Sequence, residues 1–126
     1  NRGMIFAKTG KWQLALPEYN LAIEMRPDVV NAYLNRGNLY RDTGQFMQAL
    51  ADYNKAINLE KDQYTLNWAL AYAERGRLYF LMQNYSQALA DIDAALAVYP
   101  DLKQGQMYRE DIINMKGLFN EPARVF

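Results

Sequence analysis

Arginine and carboxylate residues recur along the chain at one fixed separation, and this makes them the first candidates for chemistry. Three arginines that each precede a glycine are followed, 16 residues later, by an acidic residue. A guanidinium that faces a carboxylate makes strong hydrogen bonds, often two in parallel. The favoured interpretation is a structural ion pair that links two segments of the chain, and the alternative is a ladder of free guanidiniums for an acidic ligand. The pairs are Arg2 with Glu18, Arg36 with Asp52, and Arg75 with Asp91.

Two residue types that often serve in catalysis and metal binding are missing from this sequence. It contains no Cys and no His. Zinc sites of the usual Cys/His type and imidazole acid–base catalysis are therefore excluded. The sequence also has no glycine-rich phosphate loop and no nucleophile motif. We expect a protein that is not an enzyme and that holds no cofactor or metal.

Charge and hydropathy limit the kinds of partner. Lys and Arg together number 14, as do Asp and Glu, so the formal net charge is zero. A nucleic-acid binder usually carries a basic patch and a high pI. No apolar run approaches the roughly 20 residues of a membrane span, and no signal peptide is visible. We expect neither nucleic acid nor a membrane as partner, and the compartment stays undetermined.

The elements that position the charged residues repeat with a period of 34. This spacing separates Gly3 from Gly37 and Ala15 from Ala49. A further copy follows at 39, which is the same period with a five-residue insertion. Such a period predicts a stack of supersecondary units. The small residues mark places where two helices pack closely and a larger side chain would overpack the contact. The counterparts in the later copy are Gly76, Ala88, Ile92 and Ala95.

Aromatic residues such as Tyr40 and Tyr79 lie between these small residues, and Pro27 and Pro100 end two of the second helices. This order of Gly, Ala, aromatic and Pro residues resembles the tetratricopeptide repeat. The resemblance covers residues 1 to about 102. It implies a single all-α domain, a right-handed superhelix (an α-solenoid) of three helical hairpins with a C-terminal capping helix. The expected parts are a truncated first repeat at 1–29, a second repeat at 30–63, a third repeat with the insertion at 64–102, the capping helix at 103–117 and an irregular tail at 118–126.

Helix boundaries follow from the breakers and caps of each repeat. The second helices are expected at about 12–25, 46–59 and 85–98, and the first helices at about 29–42 and 63–81. Acidic residues just before the first helices are suitable N-caps. The residues assigned to helix ends and turns are Asp28 and Asp62 as N-caps, Gly44 and Asn84 in the hairpin turns, and Gly117 at the end of the capping helix.

The resemblance also implies a binding face, because first helices line the concave side of this family's superhelix and take extended peptides. Asn35 and Asn38 offer both a donor and an acceptor to a peptide backbone. Arg41 and Arg77 can pair with carboxylates. The alternative is an ordinary solvated helix face. The full expected groove set is Leu34, Asn35, Asn38, Arg41, Leu70, Glu74, Arg77, Phe80 and Leu81.

One specialised binding mode of the family does not carry over. Chaperone adaptors of this family hold a partner's terminal carboxylate in a clamp of Asn and basic residues. In the third repeat, Leu70 and Glu74 stand at the clamp's basic positions. We therefore do not expect this chain to bind chaperone tails through such a clamp.

The five-residue insertion supplies a candidate accessory contact. Tyr64, Leu66 and Trp68 have no counterpart in the second repeat. Trp and Tyr are frequent anchors at interfaces. The alternative, packing of a longer helix on its neighbours, is favoured over a partner contact.

The sequence therefore predicts a protein–protein interaction scaffold that holds a protein or peptide partner in its concave groove. Two other functions stay open. The chain begins with Asn1 inside a repeat, and apolar residues around Ile5 could form a homo-oligomer through that truncated end. The array could also be the docking part of a larger enzyme.

Overall fold

The computed structural model describes residues 12–60 and 65–120. Arg2, Tyr64 and the possible assembly surface around Ile5 lie outside these ranges. The described residues form six α-helices and no strand. These are α1 (Trp12–Met25), α2 (Val30–Asp42), α3 (Phe46–Leu59), α4 (Leu66–Leu81), α5 (Tyr85–Val98) and α6 (Lys103–Asn120).

Helix packing follows the order of the chain. Each helix contacts the next, and the first helices of successive hairpins, α2 and α4, also contact each other. The same contact joins α4 to α6. The predicted all-α helical-repeat solenoid is confirmed. In the described part of the chain, no helix has the length and apolar character that crossing a bilayer requires.

Glycine allows the two helices of each hairpin to approach closely. A Cβ added to Gly37 would lie 2.8 Å from Cε1 of Tyr53. A Cβ on Gly76 would lie 2.6 Å from Cγ1 of Ile92 and 3.0 Å from the carbonyl oxygen of Ala88. Tyr53, Ala88 and Ile92 are all fully buried. The repeated small residues therefore mark helix crossings, as their spacing predicts.

The second helices begin and end where the sequence predicts, but the caps of the first helices differ. The N-cap of α2 is Val29, without a side-chain hydrogen bond. Asp28 is exposed and lies 3.6 Å from Arg26 instead. The expected cap at Asp28 is therefore wrong, because its carboxylate faces a neighbouring cation and not the helix amides.

The first helix of the third repeat starts later than predicted. It begins at Leu66, not at about residue 63. Thr65 is its N-cap, and the hydroxyl of Thr65 accepts a hydrogen bond from the Trp68 N–H at 3.1 Å. This bond satisfies an amide that the helix itself leaves unpaired. Asp62, the expected cap, lies outside the described residues.

The last helix continues beyond its predicted end. Gly117 was expected to stop it, but α6 extends to Asn120. Residues 118–120 are therefore helical and not part of an irregular tail. A glycine inside a helix costs only about 1 kcal/mol relative to alanine, so it does not end a helix by itself.

The two described hairpin turns use the same backbone geometry with different residues. Gly44 has a φ of 80°, and Gln83 has a φ of 64° at the corresponding place in the next repeat. The amides that follow them donate to equivalent carbonyls: Gln45 to Tyr40 and Asn84 to Tyr79, each at 2.8 Å. Asn84 was expected to serve the turn, but the strained position belongs to Gln83.

We predict that Gln83→Gly stabilises the protein. A non-glycine residue in the left-handed region carries a strain of 1–2 kcal/mol, and Gln83 is exposed, with little packing to lose. The free energy of unfolding, measured in urea, should rise by about 1 kcal/mol. Gly44→Ala is the matched control and should lower it, although no atom lies within 4 Å of the added Cβ. An unchanged stability for Gln83→Gly would contradict the strain.

We predict that Gly76→Ala destabilises the protein by about 1–3 kcal/mol through overpacking. The added methyl group meets a backbone carbonyl that has no room to move. Gly105→Ala is the comparison, because its added Cβ meets the flexible end of Leu96 at 3.0 Å. There the gain in helix propensity should offset the contact. Equal urea-unfolding midpoints for the two variants would contradict the close helix crossing.

Candidate functional site

Two of the three arginine–carboxylate pairs lie within the described residues and have parallel geometry. Arg36 donates from Nε and Nη2 to the two carboxylate oxygens of Asp52, at 2.8 and 2.7 Å. Arg75 does the same to Asp91, at 2.7 and 2.8 Å. Both aspartates are buried. Each pair therefore links the two helices of one hairpin, while the pair expected between Arg2 and Glu18 involves a residue outside the described ranges.

Each of these guanidiniums also contacts the preceding hairpin. Nη1 of Arg36 donates to Oδ1 of Asn20 in α1, and Nη1 of Arg75 donates to Oδ1 of Asn54 in α3, each at 3.0 Å. Each arginine thus joins three consecutive helices. The hydrogen bonds to the aspartate raise the pKa of both arginines, and burial offsets part of this effect.

The capping helix α6 makes an equivalent arginine contact with the helix before it. Arg109 in α6 donates from Nε to Oδ1 of Asp93 in α5 at 2.8 Å. Arg109 follows Arg75 by 34, and Asp93 follows Asn54 by 39, so both stand at the repeated positions. This pair was not predicted from the sequence, although the repeat spacing from Arg75 and Asn54 indicates it.

We use the word groove for the face of α2, α4 and α6 on which Arg41, Glu74 and Tyr108 lie. Arg41 of α2 donates from Nη1 to Oε2 of Glu74 in α4. The hydroxyl of Tyr108 in α6 donates to the other oxygen of Glu74 at 3.3 Å. Burial, followed by the charge of Glu74, raises the pKa of Tyr108. Three alternate helices, α2, α4 and α6, therefore meet at one carboxylate.

Two of the expected groove residues serve the interior. Asn38 accepts a hydrogen bond from the hydroxyl of Tyr53 at 2.5 Å. Tyr53 is fully buried, and burial raises its pKa above the ordinary value. Leu34 is buried in the same hydrophobic cluster. These side chains hold the floor of the groove in place.

Arg77 makes its contacts with the capping helix. Nη1 of Arg77 donates to Oδ2 of Asp111 at 3.4 Å. Its guanidinium carbon lies 5.2 Å from the ring centroids of both Phe80 and Tyr108, within cation–π distance. Tyr108 and Asp111 follow Glu74 and Arg77 by 34, so the repeat spacing was a signal for these residues too.

The remaining expected contacts differ in exposure. Asn35 and Leu70 are half-buried, whereas Leu81 is exposed. In the insertion, Leu66 is exposed. Trp68 packs against Tyr72, with ring centroids 4.5 Å apart, and against a buried core cluster. The contacts of Trp68 are therefore those of the packing alternative.

Comparison with known proteins settles the family. A family model of the tetratricopeptide repeat matches residues 30–63, and a second model of the same repeat matches residues 69–102. The chain belongs to the tetratricopeptide repeat (TPR) family. No curated protein sequence matches it.

Several solved TPR domains share its fold over nearly the whole chain. The TPR domain of Arabidopsis OM64 is 26% identical, with a TM-score of 0.78, and the match covers 90% of this chain and 89% of that one. The second TPR domain of human RPAP3, solved with an HSP70 peptide, is also 26% identical, with a TM-score of 0.76 and 89% of each chain covered. The TPR2B domain of yeast Sti1, in a complex with pHsp70, shares the fold at 22% identity, a TM-score of 0.78 and coverage of 90% and 91%. These relatives support a protein-interaction scaffold.

We predict that the parallel ion pairs determine the stability of this TPR domain. Arg36→Ala leaves the buried carboxylate of Asp52 without a partner, which should lower the free energy of unfolding by on the order of 3 kcal/mol. The matched control is Arg109→Ala, whose pair with Asp93 is exposed. An exposed pair contributes about 1 kcal/mol or less. Thermal and urea unfolding curves for Arg36→Ala that overlay those of the control would contradict the structural role.

Proposed function

We propose that this TPR domain holds an extended segment of a partner protein along the groove. The observation that supports it is the network of Arg41, Glu74 and Tyr108, which ties α2, α4 and α6 into one surface. A surface fixed before binding loses less entropy when a ligand is ordered on it. The similar TPR domain of RPAP3, solved with an HSP70 peptide, supports a peptide as the ligand.

Groove residues divide into a floor and a contact layer in this proposal. Asn38, Arg41 and Glu74 form the floor, because their polar atoms already have partners inside the protein. The contact layer is made of side chains with accessible surface. It contains Asn35, Asp42, Leu70, Arg77, Phe80 and Leu81, together with Met107 and Asp111 of the capping helix.

The side chains of the contact layer are suited to binding a peptide. The side-chain amide of Asn35 is able to donate to and accept from a peptide backbone. Leu81 and Met107 are exposed apolar side chains, and an unbranched methionine adapts to different partners. Several polar contacts and a few apolar anchors would together supply the affinity.

A peptide-array experiment tests the groove. The wild-type domain, Asn35→Ala/Leu81→Asp and the control Met47→Asp are applied to identical arrays. Met47 is exposed on α3, away from the groove. Peptides that bind the wild type should bind the control equally and the double variant about tenfold more weakly, which corresponds to 1.4 kcal/mol.

Circular dichroism of the three proteins shows whether they share one fold. With the fold intact, equal binding by the double variant and the wild type would move the site away from the groove. Binding lost only in Met47→Asp would assign it to the side formed by the second helices. Either outcome would refute the proposal.

A further inference from the structure

The two arginines of the groove are already paired within the protein. The side chain of Arg41 is 12% exposed and faces Glu74. The side chain of Arg77 is 28% exposed and pairs with Asp111 of the capping helix. A ligand carboxylate would have to displace one of these internal partners before it reached a guanidinium.

Glu74 is already the carboxylate partner of Arg41. One of its oxygens accepts from Arg41 and the other from Tyr108, so both are satisfied from within the protein. Displacing a buried, hydrogen-bonded carboxylate from its cation is strongly unfavourable. The centre of the groove is therefore closed to acidic groups.

Carboxylates lie on the accessible side of the same arginines. Asp42 contacts Nε of Arg41 at 3.3 Å and is 68% exposed. Asp111 is 53% exposed, about twice the exposure of its partner Arg77. A ligand that enters the groove therefore meets carboxylate oxygens more readily than guanidiniums.

We propose that the groove selects an internal segment of a partner that carries Lys or Arg beside apolar residues, and that it rejects acidic C-terminal tails. This inference rests on the proposed function, since it names the ligand class of the same groove. The basic side chains of the ligand pair with Asp42 and Asp111, while its apolar side chains contact Leu81 and Met107. Recognition needs no free terminal carboxylate.

The size of the effect follows from the exposure of these carboxylates. An exposed ion pair contributes about 0.2–1 kcal/mol, so each basic residue of the ligand should tighten binding by about 1.4- to 5-fold. Salt screens such pairs, and the preference should therefore shrink as ionic strength rises. Contacts with the apolar side chains should remain at high salt.

Matched sets of short synthetic peptides test the inference. Each set keeps one apolar framework and carries either two Lys or two Glu at the same positions, with the C-terminus either free or amidated. Binding to the wild type is measured by fluorescence anisotropy at low and high salt. We expect the Lys peptides to bind at least about twofold more tightly at low salt, at about 1.4-fold or more per charge, and amidation to change nothing.

Two charge-removing variants locate the preference. Asp111→Asn removes an exposed carboxylate and releases Arg77, so it should lose most of the Lys preference and gain affinity for the Glu peptides. Asp93→Asn is the matched control. Asp93 has the same 53% exposure and also pairs with an arginine, Arg109, but it lies on α5 outside the groove. The control should keep the wild-type preference.

The outcomes separate this inference from the function on which it rests. Tighter binding of Glu peptides, equal binding of both sets, or loss of binding on amidation would overturn the ligand class and leave the groove intact as the site. A Lys preference that Asp93→Asn also loses would overturn the assignment to Asp111. Absence of binding by every peptide, or binding that survives the uncharged variant Asn35→Ala/Leu81→Asn, would overturn both proposals.

Discussion

The arrangement of this domain depends on a guanidinium that holds three helices together. Arg36 and Arg75 each make two hydrogen bonds to the aspartate of their own hairpin and one to an asparagine of the hairpin before. The residue after each arginine is glycine. A Cβ on Gly37 would lie only 3.3 Å from Cβ of Asp52, so the glycine lets the second helix come close enough for its aspartate to reach the arginine. The Arg–Gly dipeptide therefore supplies both the ion pair and the close packing of the two helices.

The first helices have two faces, and each face carries arginines with a different role. The arginines that precede glycine point to the second helices and fix the spacing of the units. Arg41 and Arg77 lie on the other face, where their partners come from neighbouring first helices: Glu74 in α4 and Asp111 in α6. The capping helix thus does more than cover the end of the core, because it also contributes Tyr108 and Asp111 to the groove.

Much of the fold was predictable from the sequence, since a period of 34 together with small residues at helix crossings determines which segments pair. The bounds of α1, α3 and α5 follow from it. The helix caps and the contacts between repeats were harder to predict. Asp28 and Thr65 are both acceptable caps by type, and only the neighbouring groups decide which one bonds to the helix amides. The pair of Arg41 with Glu74 joins different repeats, so the separation that links residues within one hairpin does not reveal it. Tyr108 and Asp111, by contrast, could be predicted from the sequence, because they continue the 34-residue spacing into the last helix.

Similarity of fold does not carry ligand chemistry with it. At 26% identity the RPAP3 domain has the same architecture and was solved with a peptide that ends in EEVD. In this chain the centre of the groove already contains a carboxylate, that of Glu74, with its two oxygens bonded to Arg41 and Tyr108. The electrostatic role that an acidic ligand would fill is taken by the protein itself. The same superhelix is therefore compatible with a first-helix face whose centre already holds a carboxylate of the protein.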